Sequence, residues 1–154
     1  MKSLHLTEFF PYQLTQLQAK VSDNIAEIYT GRFELSRQEW RVLASLGNEE
    51  LLSAKQIGEQ ANLEKMPTSR AIIKMQTQGL LVKSTDKKDK RSSLLKLTEQ
   101  GLSIYQQLVP MVLQQEQELL SVLTMPELKL LKATIAKLSL KSIEITKVAA
   151  SKPS

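Results

Sequence analysis

Residues 80–97 read LLVKSTDKKDKRSSLLKL, and this is the most informative stretch of the chain. Two short apolar segments flank a charged tip at residues 86–91, which holds four basic and two acidic residues. Apolar runs on both sides of a polar tip are typical of two strands joined as a β-ribbon, here at about 81–84 and 94–97. Because the cations project from the tip, such a ribbon suits a narrow, negatively charged groove.

Positive charge is concentrated around this ribbon. The whole chain of 154 residues has a net charge of +5. Residues 65–96 contain nine Lys or Arg and two Asp, so this segment is +7 and the rest of the chain is −2. Concentrated positive charge indicates a polyanionic partner, although a solvated basic surface is the alternative.

Composition argues against several classes of function. The length fits one domain with an added assembly element. The chain has no cysteine and a single histidine, His5, which argues against disulfides, zinc sites and a catalytic triad. It shows no apolar run of about 18 residues and no signal peptide, so we expect a cytoplasmic protein without membrane contact. No nucleophile–base pair or Gly-rich phosphate loop stands out, and we predict no enzyme activity, no metal and no cofactor.

Three capping boxes predict where helices begin. In each, a Ser or Thr precedes a Glu or Gln by three residues, as in Ser36 with Glu39, Ser53 with Gln56 and Thr124 with Glu127. Helices should therefore start at about 37, 54 and 125. Apolar residues spaced by three and four predict further helices at 7–29, at 65–78 and after Thr98.

The two ends of the chain carry long apolar stripes. Residues 10–28 have one, and residues 128–145 have another that is nearly a heptad repeat. Terminal helices with such stripes favour a dimer interface, whereas folding back over the central domain is the alternative.

The order of the elements indicates a winged helix-turn-helix. A short helix, a tight turn, a second helix and a two-stranded ribbon follow one another, and in that plan the second helix enters the major groove of DNA. We predict a mainly α fold with a small β-wing. It comprises an N-terminal dimerisation helix at 1–34, a winged helix-turn-helix lobe at 35–98, C-terminal dimerisation helices at 99–148 and a disordered tail at 149–154.

The second helix is predicted to supply the major-groove contacts. Its exposed N-terminal face offers hydroxyl and cationic side chains, which suit phosphates and guanine edges. These are Lys65, Pro67, Thr68, Ser69, Arg70 and Lys74. Capping or solvation is the alternative for Thr68 and Ser69. The apolar Ala71, Ile72 and Met75 should face inward.

The ribbon tip is predicted to lie along or in the flanking minor groove. Its candidate contacts are Lys87, Lys88, Asp89, Lys90 and Arg91. Narrow A·T-rich minor grooves have a deepened negative potential that attracts arginine, so Arg91 is the predicted probe. Asp89 repels phosphate, and we expect it to orient Arg91. If Asp89→Ala left DNA affinity unchanged or improved, that orienting role would be wrong.

These motifs resemble those of the MarR family of bacterial transcriptional regulators. Residues 86–91 are similar to the family's D-x-R-D-x-R wing motif, and residues 97–101 (LTEQG) to the L-T-x-x-G that follows it. Residues 79–81 (GLL) are similar to the family's G-L-V before the wing. The resemblance implies a homodimer on a pseudo-palindromic operator, with ligands often bound between the dimerisation helices and the DNA-binding lobe.

The chain departs from the family pattern at two positions. The resemblance matches Arg91 to the second wing arginine and Asp89 to its acidic partner, but Lys88 replaces the first arginine. Lysine keeps the charge and loses the bidentate fork. Pro67 stands where a small hydroxyl residue is common, which removes one phosphate contact. The lack of cysteine excludes the peroxide-sensing branch of the family.

The sequence thus predicts a dimeric DNA-binding regulator, a repressor of transcription that a small molecule releases. A nonspecific architectural DNA binder and a protein-interaction winged-helix module are the alternatives. The candidate contacts for a small aromatic or anionic effector are Tyr12, Tyr29, Trp40 and Arg41, with Phe33 and Arg32 as further candidates. The alternative interpretation of Trp40 is a core residue that staples the start of its helix.

Overall fold

The computed structural model describes residues 3–48, 51–85 and 93–151. After a short 3-10 turn at Leu6–Glu8, the elements are α1 (Phe10–Gly31), α2 (Arg37–Leu46), α3 (Ala54–Ala61), α4 (Lys65–Thr77), β1 (Leu81–Thr85), β2 (Ser93–Leu97), α5 (Glu99–Leu120) and α6 (Met125–Ala150). The predicted mainly α architecture with a small β-wing is confirmed. None of the helices in this part of the chain is long and apolar enough to cross a membrane.

Capping boxes set the first residues of α2, α3 and α6. The hydroxyl of Ser36, Ser53 or Thr124 accepts a hydrogen bond from the backbone N–H three residues later. The side chain of that later residue accepts the cap residue's own N–H in return. These reciprocal bonds satisfy donors that a helix end leaves without partners. The helix starts predicted at 37, 54 and 125 are confirmed for this reason.

A glycine ends α4 and turns the chain into the wing. Gly79 has a φ of +73°, in the left-handed region that glycine adopts without strain. Its N–H donates to the carbonyl of Gln76 at 3.0 Å, and the N–H of Leu80 donates to the carbonyl of Met75 at 2.9 Å. This pair of bonds is a Schellman motif. It brings β1 back against the helix that precedes it.

The core of the lobe lies between α2, α3, α4 and the base of the wing. Its fully buried side chains are Val42, Leu43, Leu46, Ile57 and Met75, joined by Leu108 of α5. Ala71 and Ile72 are also buried, so the prediction that they and Met75 face inward is confirmed. Leu52 and Leu95 exchange two backbone hydrogen bonds of 3.2 and 2.8 Å, which add a single bridge to the edge of the wing.

The wing is a two-stranded antiparallel sheet. Its register runs from Leu81 opposite Leu97 to Thr85 opposite Ser93. The strands predicted at about 81–84 and 94–97 are therefore confirmed. Leu81 and Leu95 are buried, because the base of the wing packs on the core.

The chain divides into two compact units, Met1–Gln115 and Glu116–Ser154. In the second unit, Leu128 is half-buried and every other residue of α6 is exposed. The large apolar side chains from residue 130 to residue 148 are 41–70% exposed. They are Leu130, Leu131, Ile135, Leu138, Leu140, Ile143, Ile145 and Val148. Within the first unit, Phe10, Leu14 and Leu17 of α1 are 48–57% exposed. Both terminal helices thus present apolar side chains to solvent in the single chain.

Candidate nucleic-acid interface

Helix α4 places most of the predicted contacts at the surface. Lys65 and Arg70 are exposed, and Pro67 and Ser69 are half-buried. Their neighbours Ala71, Ile72 and Met75 turn toward the core, which fixes the rotation of the helix about its axis. The outer side of α4 is therefore free to enter a groove of DNA.

Thr68 does not belong to this surface. Its side chain is 2% exposed, and its hydroxyl donates to the carbonyl of Glu64 at 2.7 Å. Gly58 of α3 lies against it, since a Cβ on that glycine would stand 3.2 Å from the Thr68 Oγ1. The prediction that Thr68 lies on the exposed face is wrong. Positions 68, 71, 72 and 75 share one side of a helix, and this spacing already indicated that Thr68 faces inward.

Lys74 is held by an ion pair that the sequence did not reveal. Its Nζ lies 2.7 Å from the Oε1 of Glu39, whose side chain is only 3% exposed. The other oxygen of Glu39 accepts the backbone N–H of Ser36 at 3.0 Å. One carboxylate thus closes the capping box of α2 and joins α2 to α4. The charge of Lys74 is partly neutralised by this partner, which leaves Arg70 and Lys65 as the stronger candidates for phosphate or base contacts.

A groove runs between the start of α3, the middle of α4 and the wing. It has a volume of about 420 Å³, and its lining includes Lys55 of α3, Ser69 and Ile73 of α4 and Lys83 of β1. Both lysines are exposed. No motif in the sequence singled out Lys55, Ile73 or Lys83. Their meeting depends on how α3, α4 and β1 pack.

Thr98 ties the wing to the end of α4. Its hydroxyl donates to the carbonyl of Gly79 at 2.6 Å and accepts the N–H of Gly101 at 3.1 Å. Its own N–H donates to the carbonyl of Leu80 at 3.0 Å. A Cβ on Gly101 would lie 2.2 Å from that carbonyl oxygen, so the junction requires glycine. The GLL and LTEQG motifs therefore meet in space, and together they fix the direction of the wing relative to α4.

The predicted contacts at the tip lie outside the described residues. They are Lys87, Lys88, Asp89, Lys90 and Arg91. The strands that lead to them carry two exposed cations, Lys83 and Lys96. Lys96 lies opposite Val82 and Lys83 opposite Leu95 in the register, so each face of the wing carries one of the two cations.

Three of the four candidate effector contacts lie near one another. The rings of Tyr29 and Trp40 stack with centroids 5.8 Å apart and planes 15° apart. Trp40 and Arg41 line an open surface depression of about 350 Å³ between α2 and α3, together with Ala44, Ser45, Gln60 and Ala61. Burial raises the pKa of the Tyr29 hydroxyl, while the charges of Arg37 and Arg41 act in the opposite direction.

Tyr12 is separate from this cluster. It lies 17 residues before Tyr29 on the same helix, which places it about 25 Å away along the axis. Its hydroxyl accepts a hydrogen bond from Gln16 at 2.7 Å. The expectation that Tyr12 and Trp40 line one pocket is therefore wrong for a single chain.

Comparison with known proteins identifies related sequences over the lobe. Residues 35–101 match the family described as winged helix DNA-binding domain. The HTH-type transcriptional regulator SarZ of Staphylococcus aureus is 29% identical over 76 residues, which is 49% of this chain and 51% of SarZ. The chain thus spans about half the length of the curated relatives that it matches.

Solved structures share the fold over nearly the whole chain. A MarR family regulator from Silicibacter pomeroyi is 26% identical with a TM-score of 0.75, covering 89% of this chain and 94% of that one. A MarR/EmrR family regulator from Acinetobacter sp. ADP1 is 23% identical with a TM-score of 0.83, covering 92% and 99%. The similarity therefore extends beyond the lobe to the helices on either side of it.

Proposed function

We propose that this chain, which matches a winged helix DNA-binding domain and shares its fold with MarR family regulators, is a transcriptional regulator of that family and binds a pseudo-palindromic operator as a homodimer. We further propose that it represses transcription in the cytoplasm until a small molecule releases it from DNA. The observation that carries the proposal is the groove beside α4, which Lys55 of α3 and Lys83 of β1 both line. Exposed cations beside a helix that enters the major groove can neutralise phosphates that border this groove.

The contacts with DNA divide into two kinds. Lys55 and Ser69 line the groove, and Lys65 is exposed at the start of α4. Their short or flexible polar groups suit phosphates, which fix position and orientation. Arg70 is exposed on α4 and can reach a guanine edge with both arms of its guanidinium group. Arg91 at the wing tip remains our candidate for the minor groove.

Assembly as a homodimer follows from the exposed apolar stripes of α1 and α6. Water solvates charged surfaces well, whereas a long exposed apolar stripe is typical of an interface between two protein surfaces. A symmetric dimer would place two copies of α4 about one turn of DNA apart, so the operator should have two half-sites with that spacing.

The proposed effector is a small aromatic acid. The structure of NadR with the same fold holds 4-hydroxyphenylacetate, and BpsR of Bordetella bronchiseptica is described as regulated by 6-hydroxynicotinic acid. In this chain, the aromatic ring of Trp40 and the cation of Arg41 line the same open depression of about 350 Å³. That volume is near the lower end of the range for small-molecule sites.

DNA binding is tested by selecting operator sequences and by comparing two variants, Arg70→Ala and its control Lys129→Ala. Operators are first selected from a random duplex library with the purified chain, and affinity is then measured by fluorescence anisotropy at several salt concentrations. Arg70→Ala should weaken binding by about 5- to 150-fold, and if Arg70 also neutralises a phosphate the salt slope should fall by about 0.9. Lys129→Ala, which removes an exposed cation from α6, should change neither. Equal affinity for the selected operator and random duplex would show an architectural DNA binder instead.

The contribution of the wing is tested in the same assay. Arg91→Ala should weaken operator binding and leave the dimer intact in sedimentation. Asp89→Ala should also weaken it, because Asp89 is proposed to orient Arg91. Parent-level affinity for Arg91→Ala would remove the wing tip from the proposed interface.

Effector binding can be followed through Trp40, the single tryptophan of the chain. A titration with 4-hydroxyphenylacetate should change its fluorescence and release the selected operator over the same concentration range. Arg41→Ala should shift both curves to higher concentration. If 4-hydroxyphenylacetate changed neither the fluorescence nor the DNA affinity, the proposal that an aromatic acid of this type is the effector would be contradicted.

A further inference from the structure

Two large apolar side chains stand on the outer surface of α4. Met66 is 60% exposed and Ile73 is 62% exposed. Arg70 lies between them at a spacing of four and three residues, which places the three side chains along one side of the helix. We call Met66, Arg70 and Ile73 the outer ridge.

The core does not account for these two residues. Ala71, Ile72 and Met75 supply the buried side of α4, and the outer ridge lies away from them. A single exposed apolar residue needs no explanation. Two of them on either side of an arginine, on the helix that faces the cationic groove, indicate a partner that is both anionic and locally apolar.

The surroundings of Ile73 show what kind of partner fits. Ile73 lines the groove of about 420 Å³ together with Lys55, Ser69 and Lys83. The two lysines favour an anionic group in the groove, and the isoleucine favours an apolar group beside it. The major groove of DNA offers both, since phosphates border it and the C5-methyl group of thymine projects into it.

We infer that Met66 and Ile73 recognise thymine methyl groups on either side of the base pair that Arg70 contacts. Met66 and Ile73 are about 10 Å apart along the helix axis, which corresponds to about three base-pair steps. The half-site should therefore contain A·T pairs that flank a G·C pair. This inference rests on the proposed DNA-binding function and adds the determinant of its sequence preference.

The experiment removes the methyl groups one at a time. An operator is selected with the purified full-length chain from a random duplex library, and each dT of a half-site is replaced by dU, which deletes only the C5-methyl. We expect affinity to fall about fourfold at a position that contacts Ile73 or Met66, as for burial of one methyl group. In Ile73→Ala, the dU penalty at one of these positions should disappear, whereas Ile73→Val should retain it.

Control variants separate this inference from other effects. Leu51→Ala removes an apolar residue that is 48% exposed outside the ridge, and it should keep every dU penalty of the parent. Circular dichroism should show the same helix content for all variants. The inference is overturned if the selected half-site contains no thymine, if dU substitution is harmless throughout, or if Ile73→Ala and Met66→Ala keep the parent's penalties. Failure of the proposed function looks different, because the parent would then select no sequence and show no salt-dependent binding.

Discussion

The DNA-binding lobe and the terminal helix α6 place their apolar residues in opposite ways. In the lobe, Leu43, Ile57 and Met75 are 0% exposed. In α6, Ile135 and Leu138 are 55% and 43% exposed, although both follow a regular apolar stripe. The lobe thus completes its own core within one chain, whereas α6 leaves its apolar stripe exposed. Mutations should therefore affect folding in one region and assembly in the other.

The largest expected effect is on the closed core of the lobe. Leu43→Ala should lower the free energy of unfolding by about 2–5 kcal/mol, because it removes a fully buried side chain and leaves a cavity. The loss should not depend on protein concentration. Urea unfolding followed by circular dichroism measures it at two concentrations. A loss below about 0.5 kcal/mol, the range of ordinary surface substitutions, would contradict a self-sufficient core.

The second effect concerns the open surface of α6. Leu138→Lys should weaken the proposed homodimer by about 2 kcal/mol or more, as for a central interface residue. Sedimentation velocity over a dilution series should show monomers where the parent is dimeric, while the unfolding of the lobe at low concentration stays the same. Lys137→Ala changes the neighbouring exposed residue and should leave assembly unchanged. If Leu138→Lys kept the oligomeric state of the parent, the proposal that α6 forms part of the dimer interface would be wrong.

A smaller effect on stability is expected from the ion pair between Glu39 of α2 and Lys74 of α4. Glu39→Gln can still accept the Ser36 N–H but loses its ion pair with Lys74. We expect the free energy of unfolding to fall by about 1 kcal/mol, since Lys74 is half exposed and water screens the pair. In a Lys74→Gln background, the same substitution should cost less. Equal costs in both backgrounds would show that the pair contributes no coupling energy.

The smallest effect on stability is expected only at alkaline pH. It concerns Tyr29, which is buried near the C-terminal end of α1. Burial raises the pKa of Tyr29 above the ordinary value of 10.0. The neutral hydroxyl therefore contributes stability below about pH 10, and this contribution is lost as the pH rises toward the folded-state pKa. Tyr29→Phe should reduce the fall in unfolding free energy between about pH 9 and 11. An unchanged pH profile would place Tyr29 outside the closed core.

Local signals explain most of the successful predictions for the fold. A capping box needs only four consecutive residues, so the starts of α2, α3 and α6 could be predicted from the sequence. The same holds for Gly79, whose position after an apolar helix marks the turn into the wing. The remaining helices could be predicted from apolar residues spaced by three and four, because this spacing places them on one side of a helix.

The contacts of the site depended on parts of the chain that are far apart. Glu39 and Lys74 are 35 residues apart and pair only because α2 and α4 pack together. The cationic groove likewise unites Lys55, Ile73 and Lys83 from three elements. Thr68 is different, since its helical spacing from Met75 already indicated a buried position. The homodimer and the roles of the tip residues stay predictions.

The junction at Thr98 has a consequence for engineering the protein. One threonine hydroxyl and the backbone at Gly79, Leu80 and Gly101 close the base of the wing. None of these atoms belongs to the segment between Thr85 and Ser93. We therefore expect the base of the wing to keep these bonds when residues 86–92 are exchanged for another sequence. Variants with new operator preferences could then be screened from a library in which only residues 86–92 differ.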